Sequence, residues 1–549
     1  MHEQQSYTVP MMWAQDPFAS RPCLIFGSSR VSFATTAAAV ASMAQRLQDA
    51  GLGAESVLGI SLQNVPGFPI GMLAAWQVGA GVLLINPMYR DVELNHLLSD
   101  SSCTAVLCEA GDTARFEAVA TAKELDLQVL VLPQDWCPSE GAAALQAEEP
   151  PKETQEHIPT TLVRTGCHVE RLVATADETD SIRETDSTRG TDTMLDKPDS
   201  TALLTYTSGT TGPPRAAIAT HRQLLASTRA FIELTDLNKD DVVLTIAPLF
   251  HITGAVINAA VALASGCPLV LTGRFDPVTV LNLIDREKVT FTAGSITAYL
   301  ALAELQTCQV DSMRSIRLLY SGGAPVPPAT VERFETQTGH YIHNVYGMTE
   351  TTSAVVAVPP GLRAPVDPMT GAISVGKAMS GVEVTVLDAD GSHLPSGSSG
   401  ELAVKGPSIV SGYLNAPEKT AETFVDGWLR TGDAAVIDPD GWVYLVDRIK
   451  DQINTSGYKV WPREVEDALT RHPSVAQAAV VGRRDDYRGE QVVAFVILAK
   501  GKLASQAELQ DFVRSQLAAY KVPREVHIVD DLPTTATGKV QRRVLRSTE

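Results

Sequence analysis

From residue 31 to residue 132, short apolar runs alternate with longer amphipathic stretches. An Ala-rich segment with helical spacing covers 31–52, and an apolar run follows at 56–62. The spacing then predicts a helix over 64–79, a strand over 82–85, helices over 91–98 and 113–122, and strands over 105–108 and 128–132. Such alternation predicts an α/β unit with largely parallel strands.

A second unit of the same kind opens with the apolar run 202–204. It is predicted to contain helices at 221–234, 254–264, 276–287, 296–305 and 328–339, and strands at 242–247, 268–271, 289–293, 318–321 and 341–345. Several strands end in a glycine or a polar turn, which is where open α/β sheets bind ligands. Over 374–446 the pattern changes to short alternating segments with turns at 389–391, 396–400 and 439–441, which predicts a small antiparallel β-barrel. Residues 448–549 read as a compact α+β piece, with helices at 462–471 and 505–517 and strands at 476–482 and 491–498. The expected fold class is α/β: two α/β subdomains and a small barrel in a region spanning 1–447, then a small α+β domain from 448 to 549.

Residues 134–200 break the alternation. They hold fifteen acidic residues against six Lys and Arg, and a hexapeptide echo, ETDSIR, ETDSTR, GTDTML. Few large apolar residues and low complexity predict a solvated, flexible insert. The formal net charge of −20 argues against a nucleic-acid partner. The seven cysteines (23, 103, 108, 137, 167, 267, 308) form no CxxC pair, which predicts reduced thiols in a cytoplasmic protein. The first residues, MHEQQSYTVP, lack the basic-then-apolar pattern of a secretory signal. The apolar stretches 67–87 and 255–273 are broken by Gly and polar residues, so each reads as a buried helix leading to a strand and no transmembrane segment is expected.

The chemistry is concentrated in YTSGTTGPPRAAIATH, residues 206–221. Glycines let backbone N–H groups turn toward an anion. The hydroxyls of Thr207, Ser208, Thr210 and Thr211 can rotate to meet phosphate oxygens, and Arg215 adds charge. No Gly-Lys-Ser/Thr follows, so this is not a Walker-type loop.

Taken with GGAP (322–325), YGMTE (346–350), RTGD (430–433), DRIKDQINTSGYKV (447–460) and PTTATGK (533–539), this stretch resembles the adenylate-forming superfamily, in its branch of AMP-forming acyl-CoA and aryl-CoA synthetases. The motifs occur in the family's order and are together far more specific than any one alone. The resemblance implies two steps. A carboxylate attacks the α-phosphate of MgATP, giving an acyl adenylate and pyrophosphate. The thiol of coenzyme A then attacks the mixed anhydride and releases AMP.

The implied roles follow the motifs. Thr207 with Ser208, Gly209, Thr210, Thr211 and Gly212 would hold the β- and γ-phosphates, with Arg215 nearby. Gly322, Gly323 and Ala324 would wall the adenine and the acyl group. Tyr346 would stack on adenine, with Asn344 and Val345 at its edge and Gly347 and Met348 beside it. Thr349 would touch the α-phosphate, and Glu350 would hold Mg²⁺, with Thr207 as a second metal contact. Asp433 and Arg448 would bind the ribose. Lys539 would bridge the carboxylate and α-phosphate as a mobile charge. His251 would lie near the acyl carboxylate and the thiol path, though a structural histidine fits its position too. Ser456, Gly457 and Tyr458 would face the pantetheine arm once the small domain rotates about residues 447–450, with Lys450 as pivot. The acyl pocket would be lined by Ile252, Gly254, Ala255, Gly294, Ser295, Ala354 and Val355. These small or aliphatic residues favour an apolar acid, fatty or aryl.

Two residues depart from the family pattern: Arg215 and Ala216 stand where lysine and glycine are usual. A carrier-protein-loading ligase, a luciferase-like oxygenase and a non-catalytic acyl-nucleotide binder share much of this pattern. The expected partners are a small carboxylic acid, ATP and coenzyme A, acting on a monomer or homodimer.

Overall fold

The computed structural model describes residues 19–133, 136–138, 169–171, 197–207, 214–324, 326–368, 371–485, 487–535 and 539–547. Among them the strands form four sheets. One runs, in spatial order, Val169–Arg171, Gln128–Leu132, Ala105–Glu109, Val57–Ser61, Gly81–Leu84, Thr201–Thr207 and Arg215–Thr220. It is parallel except for its last pair, an antiparallel hairpin with Thr207 opposite Arg215. The strands on either side of the phosphate stretch therefore pair antiparallel, whereas a Walker loop leads from a strand into a helix. Of the acidic stretch 134–200, residues 169–171 form a strand parallel to Gln128–Leu132. The expectation of a flexible insert otherwise falls mostly on residues outside those described.

The second sheet runs Lys377–Ala378, Ser353–Ala357, Ile342–Met348, Leu318–Ser321, Phe291–Gly294, Val243–Leu244, Leu269–Leu271, Pro22–Phe26 and Ser29–Ser32. The first three strands and the last two pair antiparallel at its edges, and the middle is parallel. The hairpin Pro22–Phe26/Ser29–Ser32 was not among the expected elements. It lies beside Leu269–Leu271, so the chain crosses to the second sheet before entering the helix Phe33–Asp49 of the first unit.

Asn64 explains two departures from the expected boundaries. Its buried amide donates to the carbonyls of Thr245 and Ala247, at 2.8 and 3.2 Å, and its Oδ1 accepts the Leu249 N–H at 2.8 Å. Those carbonyls are withdrawn from the ladder, so the strand expected over 242–247 is only Val243–Leu244. With Asn64 committed to this cross-link, the helix expected from 64 begins at Gly67. The segment expected as a helix over 254–264 starts in wide π-type turns, Gly254–Ala260, before Val261–Ser265. A side chain on Gly254 would meet the Pro248 carbonyl oxygen at 2.0 Å, so only glycine allows this close approach.

The barrel region is antiparallel as expected, with strands Glu383–Leu387, Ser399–Lys405, Trp428–Ile437 and Val443–Arg448. It also carries a short helix, Pro417–Thr423, that was not anticipated. The fourth sheet belongs to the C-terminal piece. It combines Ile453–Thr455, Tyr458–Val460, Val475–Asp485, Gly489–Leu498 and Glu525–Ile528 with the helices Pro462–Thr470 and Gln506–Arg514 around a core of its own. No described helix is long and apolar enough to cross a membrane.

Candidate active site

Strand ends converge as α/β topology requires. Thr207 ends one strand and Arg215 begins its partner. Ser208, Gly209, Thr210, Thr211 and Gly212 lie outside the described residues. Leu318–Ser321 ends at Gly322, where a Cβ would meet the Val345 carbonyl oxygen at 2.6 Å and its Cγ1 at 2.9 Å. Gly323 has φ +79° and open space above it, and Ala324 follows half-buried. The result is a flat wall with no side chain larger than a methyl group.

Ile342–Met348 supplies the next group. The Asn344 amide donates to the Ser374 carbonyl at 2.9 Å, while its buried Oδ1 finds no partner among the described residues. An unpaired buried acceptor is costly, and an amino group of a bound base would satisfy it. Val345 is buried. Tyr346 is buried too, and its phenol donates to Asp433 Oδ2 at 2.6 Å. Burial, and then the Asp433 carboxylate, raises that phenol well above its ordinary value, so it remains a donor. Asp433 Oδ1 in turn pairs with Arg448 Nε at 2.7 Å, from the neighbouring position in the barrel ladder. One face thus links an aromatic ring, a carboxylate and a guanidinium. Gly347 is pressed against Ser353, whose carbonyl oxygen would lie 1.8 Å from a Cβ, and the Met348 N–H donates to Thr351 Oγ1.

The tight turn Thr349–Thr351 leaves Thr349 half-buried and Glu350 buried. Glu350 Oε1 accepts the Tyr413 phenol at 2.6 Å. No described residue donates to its Oε2. The free oxygen of a carboxylate is a hard ligand of the kind magnesium takes when phosphates complete its shell. The described residues hold no cluster of three or more His, Cys, Asp or Glu that would make a protein-only cage.

His251 follows the Pro248 turn and is partly buried; its Nδ1 accepts the Thr253 N–H at 3.3 Å. Burial first, and then the charge of Lys539, pulls the imidazole down to about 4, so it is neutral near pH 7. Lys539 comes from the C-terminal piece. Its N–H donates to Thr535 Oγ1, and the Thr535 N–H donates back to its carbonyl. Burial, and then the nearby Arg448 guanidinium, lowers its amine to about 8, while Asp433 acts in the opposite direction. The structure therefore brings Lys539 together with Asp433, Arg448 and His251.

Ser456, Gly457 and Tyr458 lie elsewhere. Ser456 and Gly457, with φ +53° and +82°, form the tight turn between paired strands. The Ser456 N–H donates to the Arg488 carbonyl, and Tyr458 stacks on Tyr520 at 4.6 Å, well exposed. Lys450 sits exposed in the turn Ile449–Asp451.

Three of the expected acyl-pocket residues share one core. Ile252, Ala255 and Ala354 are buried in the cluster that joins the two α/β units. Gly254 is closed by Pro248, the space beside Gly294 is filled by Ile246, and the Ser295 hydroxyl pairs with Thr297. Val355 falls in a different cluster from Ala354, one that also holds Tyr346, Leu402, Val404 and Ala435.

Two residues escaped the reading of the sequence. Tyr413 belongs to a stretch with no motif of its own, and its bond to Glu350 spans 63 positions. Arg542 pairs with Asp447, Asp451 and Glu466. The Lys/Arg-rich tail gave no sign of which cation would be buried.

Comparisons with known proteins agree with this geometry. The family model described as AMP-binding enzyme matches residues 12–414, and that of the AMP-binding enzyme C-terminal domain matches 464–539. The long-chain-fatty-acid–CoA ligase of Bacillus subtilis is 31% identical over 97% of this chain and 92% of its own length. A feruloyl-CoA synthase of Amycolatopsis is 37% identical over 63% of this chain and 70% of its own. Among solved structures, ATP-bound MatB from Rhodopseudomonas palustris superposes with a TM-score of 0.82 at 28% identity, covering 98% of both chains.

Proposed function

Since this chain belongs to the AMP-binding enzyme family and is an AMP-forming acyl-CoA synthetase, an acid–thiol ligase with ATP and coenzyme A as substrates, we propose that it activates an apolar carboxylic acid, fatty or aryl. Two features support that choice of acid: the small, buried Ile252, Ala255 and Ala354, and likeness to ligases named for a long-chain fatty acid and for a feruloyl group.

In the first step a carboxylate oxygen bonds to the α-phosphorus and pyrophosphate leaves. The stretch that begins at Thr207, with Arg215, holds the leaving phosphates. Gly322 to Ala324 and Tyr346 flank the base, Asn344 Oδ1 accepts from its amino group, and Asp433 with Arg448 holds the ribose. Thr349 contacts the α-phosphate. Lys539 neutralises charge developing between carboxylate and phosphorus, the kind of positioned electrostatic help that dominates such reactions. Mg²⁺, held by Glu350 with Thr207 beside it, would neutralise phosphate charge. In the second step the coenzyme A sulfur bonds to the acyl carbon and AMP leaves. For that step residues 448–549 would turn as a unit about 447–450, with Lys450 as pivot, to present Ser456, Gly457 and Tyr458 to the pantetheine arm. His251, neutral and beside Lys539, lines the path between the two arrangements. The described cysteines, all without a disulfide and mostly buried, suit a cytoplasmic enzyme, monomeric or homodimeric.

The observation that carries this reading is the juxtaposition of Lys539 with Asp433, Arg448 and His251 across two domains. A pyrophosphate-release screen over straight-chain and aromatic acids, with and without coenzyme A, tests it. Release with at least one apolar acid, and thioester only when coenzyme A is present, is the expected result. Release restricted to amino acids or short polar diacids would overturn the choice of acid.

A further inference from the structure

The segment 410–415 is a strap between the two halves of the nucleotide site. The Val410 N–H donates to the Glu350 carbonyl at 2.9 Å. The Ile218 N–H donates to the Gly412 carbonyl, the Leu414 N–H donates to the Ala216 carbonyl, and Tyr413 lies opposite Ala217 in an antiparallel bridge. The strap thereby joins the strand that leaves the phosphate hairpin. Asn415 reaches the other strand of that hairpin indirectly: its amide donates to Asp100, whose Oδ2 accepts the Tyr206 phenol at 2.7 Å. Tyr413 itself is fixed by its N–H to Thr420 Oγ1 and by edge-on packing against Phe424. Its phenol then donates to Glu350 Oε1 at 2.6 Å.

We propose that Tyr413 is a positioning residue, whose hydroxyl holds one oxygen of Glu350 so that the other faces the divalent cation that travels with ATP. This rests on the reading of Glu350 as the metal carboxylate. A free carboxylate on three rotatable bonds would have to be ordered each time a cation bound. A hydrogen bond to a rigid ring removes that cost before binding, as outer partners of metal-binding groups commonly do. The strap also fixes where the carboxylate sits relative to the phosphate hairpin. Tyr413 is thus a link between two groups that must hold the same nucleotide.

The test uses Mn²⁺ as the probe cation in the full-length protein with ATP, read by electron paramagnetic resonance. Tyr413→Phe removes only the hydroxyl. It is expected to weaken Mn²⁺ in the ternary complex by about 10-fold or more, the usual cost of losing an outer partner. AMP affinity without metal should stay unchanged, and the Mg²⁺ concentration for half-maximal pyrophosphate release should rise by the same factor. Glu350→Gln serves as reference. If Glu350→Gln loosens Mn²⁺ and Tyr413→Phe does not, the proposal is overturned while Glu350 keeps its role. If neither variant loosens it, both fail. Should Tyr413→Phe not fold, 3-fluorotyrosine at position 413 keeps the hydroxyl and reports by fluorine NMR. A resonance that moves over the Mn²⁺ titration with ATP supports the proposal, and one that stays put overturns it.

Discussion

Arg542 Nη1 lies 2.9 Å from Asp447 Oδ1, so the segment that has just delivered Lys539 is tied to the last strand of the barrel. The same guanidinium bonds both oxygens of Glu466 and reaches Asp451 Oδ2, and Arg546 pairs with Asp451 as well. Asp447 Oδ2 also accepts the Arg463 N–H. One carboxylate on the barrel side therefore receives two contacts from the C-terminal domain, next to the proposed hinge.

This pair is expected to favour the arrangement in which Lys539 is docked. Asp447→Asn keeps the shape and removes the charge, while Arg542 keeps Glu466. Pyrophosphate release should fall about 10-fold, equivalent to ~1.4 kcal/mol, while thioester formation from a preformed acyl adenylate is spared. Stopped-flow measurement of the two half-reactions checks this. An equal fall in both would mean that the pair serves folding alone.

Lys539 should be a reactive amine in the absence of nucleotide. An amine at about 8 is roughly half neutral at pH 8, whereas an ordinary exposed lysine is neutral to well under about 1%. Its value is lowered in the docked arrangement, so docking binds fewer protons and is favoured as pH rises from about 8 toward the ordinary lysine value. The protonated form that adenylation needs is lost over the same window. Bound phosphate charge would shift that loss upward. Brief acylation at pH 8 with peptide mapping should label Lys539 ahead of the exposed Lys502, and ATP with Mg²⁺ should suppress the label. Equal labelling of the two lysines would contradict the lowered value.

Gly322 is expected to be intolerant of any side chain. Its Cβ would meet a backbone carbonyl that cannot change rotamer, so Gly322→Ala should cost ~1–3 kcal/mol and weaken nucleotide binding in the same variant. Thermal melting and a nucleotide titration read the two effects. An unshifted melt with wild-type affinity would mean that the wall is not tightly packed.

The alternating α/β core was legible because buried parallel strands are short apolar runs, as at 105–108 and 128–132. What stayed hidden depends on contacts between distant positions. The strand expected over 242–247 stops at Leu244 because Asn64 takes the next carbonyls. Nothing near Asn64 in sequence announces that bond. Val355 and Ala354 were both read as pocket residues because a continuous apolar run conceals which face is which. The residues proposed for the nucleotide were named from their motifs, and the fold brings Tyr346, Asp433 and Arg448 together. Tyr413 and Arg542 were not so named, since each matters through a partner that only the fold supplies.

The most direct measurement is the pair of half-reactions in Lys539→Ala. Acid-dependent pyrophosphate release should fall at least ~100-fold, in line with loss of one preorganised charge-stabilising group, while purified acyl adenylate still reacts with coenzyme A near the wild-type rate. A comparable fall in both half-reactions, or none in the first, would contradict the assignment of this lysine to the adenylation step.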